Sequence, residues 1–332
     1  MRASARLRRY CPACFAHQTW GQPANEGPDI IVCADGNRQL RRFRGGVDTT
    51  PVYDAEIFMA SEAVDAVGEA MLRMKTGRPA DHAAARLSKE ALERCKKSFK
   101  VADEDAAIVN EHLFDPTGVV VLLCRHDIPL FACDITTPGE QQKYVVAMLL
   151  ELLKELPSVA TVGLLYDIGC QLDNSCRMVS QPAYGYLGEA LPRVIMGCSV
   201  LHAYGHEWSC QVVYNPRRRQ GFGLSDGEGS ERVWSRTRRE IPILRRAEKS
   251  RRVMALDRKF RHCGETMKEH LGRWFNQKFK LLGFQRHRAK QLQQDSGMSA
   301  NELQQQHQLQ LAPKETEQAG ECNQWSSADP PA

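Results

Sequence analysis

No run of apolar residues in this 332-residue chain is long enough to cross a bilayer, so no membrane partner is expected. The N-terminus, MRASARLRRYCPACF, is basic but lacks the apolar stretch that a secretory signal requires. Without export, the 12 cysteines do not read as a disulfide framework. They read as thiols or metal ligands in a reducing compartment. The glycine-rich GFGLSDGEGSER has no Gly-Lys-Ser/Thr end and no strand leading straight into it, which excludes a phosphate loop or a dinucleotide fingerprint. HAYGHEWSC has the histidine spacing of a zincin but carries Ala203 where the general-base glutamate would stand. No internal repeat is found.

The chain is 42% hydrophobic and 26% charged, which suits a soluble core in one large domain or two ordinary ones. Net charge is +5, but its distribution says more: residues 232–261 hold 12 Arg/Lys against 3 Asp/Glu. Such a local excess suits a polyanionic partner.

Apolar patterning orders the elements. Residues 7–28 read as irregular, and DIIVCADGN (29–37) as a strand running into a turn. Helical spacing covers 55–75 and 88–114, and residues 118–137 form two strands joined at 125–129. Prolines bound the clearest helix, 138–157. VGLLYDIGCQL is a strand ending in Asp167; 193–214 reads as strand then helix, 217–229 as a loop and 230–241 as a helix. Basic helical segments run to about 290, and Gln-rich coil or disorder follows. This is an α/β pattern.

Three acidic groups fall at element ends that could meet: Asp35, Asp167, and Glu231 or Glu228. Two strand-end aspartates and a helical glutamate can hold two divalent ions and work on a phosphodiester. Spacing alone favours a plainer account, with a turn aspartate at 35, a cap at 167 and a solvated helix face at 228 and 231. Cys11 and Cys14 form a C-x2-C pair, half of a structural zinc site. Its other half could come from Cys95, Cys124, His126, His202, His206 or Cys210. His202, His206 and Cys210 share a helical face if the segment is helical, and packing against the sheet is preferred there over zinc.

CPACF, VCADGNRQLRR, FDPTGVVVLLCRHDIPLF, GEQQKY, LLYDIGCQL, LHAYGHEWSCQVVYNPRRRQGFGLSDGEGSERVWS and IPILRR occur here in one order. Together they resemble the KDZ (Kyakuja-Dileera-Zisupton) transposases, a group of eukaryotic DNA transposons abundant in mushroom-forming fungi. The resemblance covers Tyr10 to Phe279. It implies an RNase H-like fold with a DDE-type site using Mg2+ or Mn2+: Asp35 and Asp167 as the two aspartates, and Glu231, with Glu228 its competitor, as the glutamate.

The resemblance further implies a nuclear protein acting on transposon ends, with homo-oligomerisation open. Arg217, Arg218, Arg219, Arg236, Arg238 and Arg239 would hold DNA phosphates. The expected organisation is a cysteine-containing segment (8–28), a catalytic core (29–50 and 115–241) interrupted by a helical insertion (51–114), a basic helical extension (242–290) and a disordered tail (291–332). Ala34 and Ser230 depart mildly from the family pattern. Family members are usually far longer, with an upstream cysteine-cluster region. The alternative expectation is therefore a truncated, non-catalytic nuclear DNA-binding relic.

Overall fold

The computed structural model describes residues 2–24, 26–45, 53–76, 86–104, 111–178 and 186–311. Its centre is a five-stranded mixed sheet: β1 (Ile30–Asn37), β2 (Gly118–Cys124), β3 (Pro129–Ile135), β4 (Val162–Tyr166) and β5 (Val194–Gly197). The strand order is β3-β2-β1-β4-β5. β1 and β2, like β2 and β3, pair antiparallel; β4 runs parallel to both β1 and β5. Every residue of β2, β3, β4 and β5 is buried, as continuous apolar runs require when both sheet faces are covered.

The helices follow from the same patterning. Gln142–Lys154 buries eight residues, among them Tyr144, Met148 and Leu152, and crosses from β3 to the parallel β4. The β1–β2 connection carries the insertion, whose helices are Ser61–Thr76 and Lys89–Glu104. The first begins later than the periodicity predicts. Residues 57–59 pair instead with the β3 edge: the Met59 N–H donates to Ala132 O, and the Ala132 N–H donates to Ile57 O. Residues 105–110 of the second expected helix lie outside the described residues.

Two further expectations are corrected. Residues 7–28 are not wholly irregular, since Ala5–Tyr10 and Pro12–Phe15 are helical, with the Ser4 side chain capping the first at the Leu7 N–H. Nor is 291–311 coil. The helix Leu271–Ser296 ends at Gly297 in the left-handed region, and another spans Ala300–Leu311. Ser299 and Glu302 form a reciprocal capping box at its start. Glutamine and leucine are good helix formers, so polarity alone was a poor guide there. Residues 312–332 of the expected tail lie outside the described residues.

The helices Gly229–Thr237 and Lys249–Glu269 pack on the sheet through β1, β2 and β3. Arg252, wholly buried, pairs with Asp134 of β3 at 2.6 Å and donates to the Leu40 carbonyl at 2.6 Å. The Arg252→Ala variant leaves a buried carboxylate unpaired and should lose about 3–5 kcal/mol, read by urea unfolding.

Candidate active site and metal centres

Ala34 of β1 is paired with Tyr166 of β4, and both strands run the same way. Asp35 and Asp167 are the next residues of each, so the two carboxylates emerge side by side at one sheet edge. Asp35 accepts from Trp234 Nε1 at 2.8 Å and from the Gly36 N–H at 2.7 Å. Asp167 accepts from Ser199 Oγ at 2.6 Å, and His202 Nδ1 lies 3.1 Å from the same oxygen. Burial, then the Asp167 charge, pushes Asp35 up to about 7 from its ordinary 3.8, with the Trp234 hydrogen bond opposing. Burial also pushes Asp167 up to about 7, Ser199 opposing and Glu140 and Glu228 adding.

Both candidate glutamates reach this edge. Glu231, exposed in the first turn of Gly229–Thr237, raises Asp35 and shares an open groove with Gly36, Arg38, Trp234 and Arg238. Glu228 is buried and accepts the Leu201 N–H at 2.8 Å; burial raises its carboxyl. A further carboxylate escaped the sequence reading. Glu140 Oε1 accepts from the Tyr166 hydroxyl at 2.8 Å, and its Oε2 lies where a Cβ on Gly36 would stand, 1.9 Å away. Gly36 is therefore the residue that makes room for Glu140. Its only sequence signal is its place in GEQQKY, a string that carries the family resemblance.

Two buried Cys/His groups could each hold a metal ion: Cys11, Cys14, Cys124 and His126; and Cys95, Cys170, His206 and Cys210. Zinc bonds of about 2.3 Å to sulfur and about 2.0 Å to nitrogen at tetrahedral angles set S···N edges near 3.6 Å and S···S edges near 3.8 Å. In the first group, His126 Nδ1 lies 3.4, 3.1 and 3.9 Å from the sulfurs of Cys11, Cys14 and Cys124. In the second, His206 Nδ1 lies 3.2, 3.5 and 3.2 Å from those of Cys95, Cys170 and Cys210, and Cys95 is 3.9 Å from Cys170. Contacts with Cys124, Cys14 and His126 pull the Cys11 thiol far below its ordinary value, and Cys170, Cys210 and His206 do so for Cys95. Their thiol neighbours and burial hold Cys14, Cys124 and Cys170 up, so one thiol in each group is the first to give up its proton to a metal.

The first group ties the N-terminal helices to the end of β2 and its hairpin turn. The second ties insertion helix Lys89–Glu104 to the helix Gly169–Arg177 after β4 and to the segment after β5. His202, a zinc candidate by spacing, is not in the second group; it turns to Asp167 and Ser199.

The six candidate arginines are not equivalent. Arg217 and Arg218 are exposed, with Arg218 stacked 4.9 Å over Trp208. Arg219 turns inward, 5.1 Å over the Tyr214 ring, so its placement does not offer a surface contact. Arg236, Arg238 and Arg239 are exposed on the helical face after Glu231.

The family model for the Kyakuja-Dileera-Zisupton (KDZ) transposases matches residues 28–263, most of the chain. Neither the curated proteins nor the solved structures compared with the chain hold a match. The chain belongs to the KDZ transposase family.

Proposed function

We propose that this KDZ-family chain is a DDE-type enzyme that cuts and joins DNA at an RNase H-like core. Asp35 and Asp167 are its paired aspartates, and Glu231 is its third carboxylate. The observation that carries this is the side-by-side exit of Asp35 and Asp167 from two adjacent parallel strands. The β3-β2-β1-β4-β5 order, with two antiparallel and two parallel pairings, supports the RNase H-like reading. Two half-buried carboxylates, both raised to about 7, suit a divalent ion such as Mg2+ or Mn2+. When bound, a pair of such ions activates the attacking oxygen and stabilises the leaving oxygen of a phosphodiester.

The chain's own residues do the positioning. The Trp234 N–H and the Gly36 N–H fix the two oxygens of Asp35, and the Ser199 hydroxyl fixes one oxygen of Asp167. Glu231 stands on the open side, whereas Glu228 spends one oxygen capping Leu201. DNA, the partner class of a transposase, would lie along the groove past Arg238. Its action on transposon ends would be nuclear. Mn2+-dependent nicking of plasmid by Glu231→Gln and Glu228→Gln variants tests the assignment. Loss in the first alone is expected; loss in the second alone would transfer the role to Glu228.

Phosphate contacts release counterions, so each removed contact lowers the salt dependence of binding by roughly one unit of slope. Arg236→Ala, Arg238→Ala and Arg239→Ala combined should weaken DNA binding uniformly across sequences and reduce that slope by about 2–3. Binding titrations at several salt concentrations read this directly.

The two Cys/His groups are proposed to carry structural zinc. They would staple the N-terminal segment and the insertion to the sheet, the first where β2 ends beside Val32 of β1, the second at the helix that follows Asp167.

A further inference from the structure

We propose that the metal held by Cys95, Cys170, His206 and Cys210 sets the position of Asp167, with His206 as the positioning residue. This rests on the reading of Asp167 as a metal-binding carboxylate of the DNA-cutting site. His206 Nε2 lies 2.9 Å from the main-chain carbonyl of Asp167. A carbonyl only accepts, so Nε2 carries the hydrogen and donates it. Nδ1 is then the atom turned to the sulfurs, 3.2–3.5 Å from three of them. One imidazole thus reaches the thiol cluster with one nitrogen and the strand-end aspartate with the other, the arrangement by which a metal-bound histidine is oriented by its outer hydrogen bond.

The rest of the turn is built to the same end. Cys170 follows Asp167 by three residues and lies in the first turn of the helix Gly169–Arg177. Gly169 presses against β5, where an added Cβ would sit 2.3 Å from Gly197 O. Ser199, which holds the Asp167 carboxylate, directly follows Cys198, a buried residue of the same thiol cluster. Asp167 is therefore gripped at its carboxylate by Ser199 and at its carbonyl by His206. The chain supplying both runs through one-turn and two-turn helices, Val200–Ala203 and Trp208–Tyr214, too short to hold a geometry by themselves. A metal joining His206 and Cys210 to Cys95 and Cys170 would hold that segment at two points, against the helices Lys89–Glu104 and Gly169–Arg177.

The test is the variant His206→Cys. A thiolate at 206 can still complete a four-ligand zinc site but has no N–H for the Asp167 carbonyl. Zinc content measured by plasma mass spectrometry should equal wild type. Mn2+ affinity, read by electron paramagnetic resonance of free Mn2+, should weaken about 10-fold, the lower end expected for loss of an outer-shell partner. A variant with full zinc and wild-type Mn2+ affinity overturns the proposal.

If His206→Cys loses zinc, wild-type protein produced with Co2+ decides. Coupling is reciprocal, so Mg2+ binding at the carboxylates should shift the thiolate-to-cobalt absorption, and Asp167→Asn should abolish the shift. Absence of a shift in wild type overturns the coupling. An Asp167→Asn protein that binds Mn2+ as tightly as wild type refutes the carboxylate site itself, whatever the cluster does.

Discussion

Asp167→Asn, stripped of divalent metal, should be more stable than wild type at pH 8 and yet cut DNA about 10³-fold more slowly or worse. Both effects come from one geometry. In the folded chain Asp35 and Asp167 hold protons up to about pH 7, against 3.8 ordinarily. The folded state therefore binds more protons than the unfolded state across that interval. Wild-type stability falls as pH rises from about 4 to about 7, and the loss is complete above it. An asparagine has no such loss. At about 1.4 kcal/mol per pKa unit, reduced for partial solvent screening, the variant should gain on the order of 2 kcal/mol at pH 8 and almost nothing at pH 4. Melting curves in chelator at the two pH values check this. Added Mn2+ should raise the melting temperature of wild type and leave the variant where it was, because a ligand stabilises only the state that binds it. The lost cutting corresponds to about 4 kcal/mol or more of transition-state stabilisation.

Removal of zinc should be costlier than any single side chain. Purified protein is expected to contain two zinc ions per chain, and Cys124→Ser one. Binding energy at a structural zinc site is folding energy, about 10 kcal/mol in small zinc modules, so chelation should take most of the stability of a domain this size. The loss should appear first where the staples lie: the helices Ala5–Tyr10 and Pro12–Phe15 at the first site, and Lys89–Glu104 at the second. Metal analysis with melting curves in phenanthroline reads both quantities. Zinc-free protein melting with unchanged temperature would remove the structural role.

The elements that sequence made legible were those whose pattern is local. The apolar runs of β2, β3 and β4 are bounded by turn residues, and the helix Gln142–Lys154 is bounded by prolines. Asp35 and Asp167 stood out because a carboxylate ends an apolar strand. What was not legible depends on contacts far apart in the chain. Cys11 and Cys14 find His126 across more than a hundred positions, and Cys95 finds Cys170 across 75. The pair His202 and His206 misled because their spacing suggests one helical face. The helix ends at Ala203, so His202 turns to the Asp167 carboxylate and His206 to the sulfurs. Glu140 lies in the loop ahead of its helix, where no periodicity marks it. Arg219 reads like its exposed neighbours, and only the Tyr214 ring reveals that it faces inward.

The central claim, that Asp35 and Asp167 form a metal-dependent DNA-cutting site, is tested most directly by nicking of supercoiled plasmid in Mn2+, wild type beside Asp167→Asn. The account predicts open-circular product with wild type and none above background with the variant. Folded, zinc-loaded wild type that binds plasmid without nicking it would contradict the account and leave a DNA-binding relic of a transposase in its place.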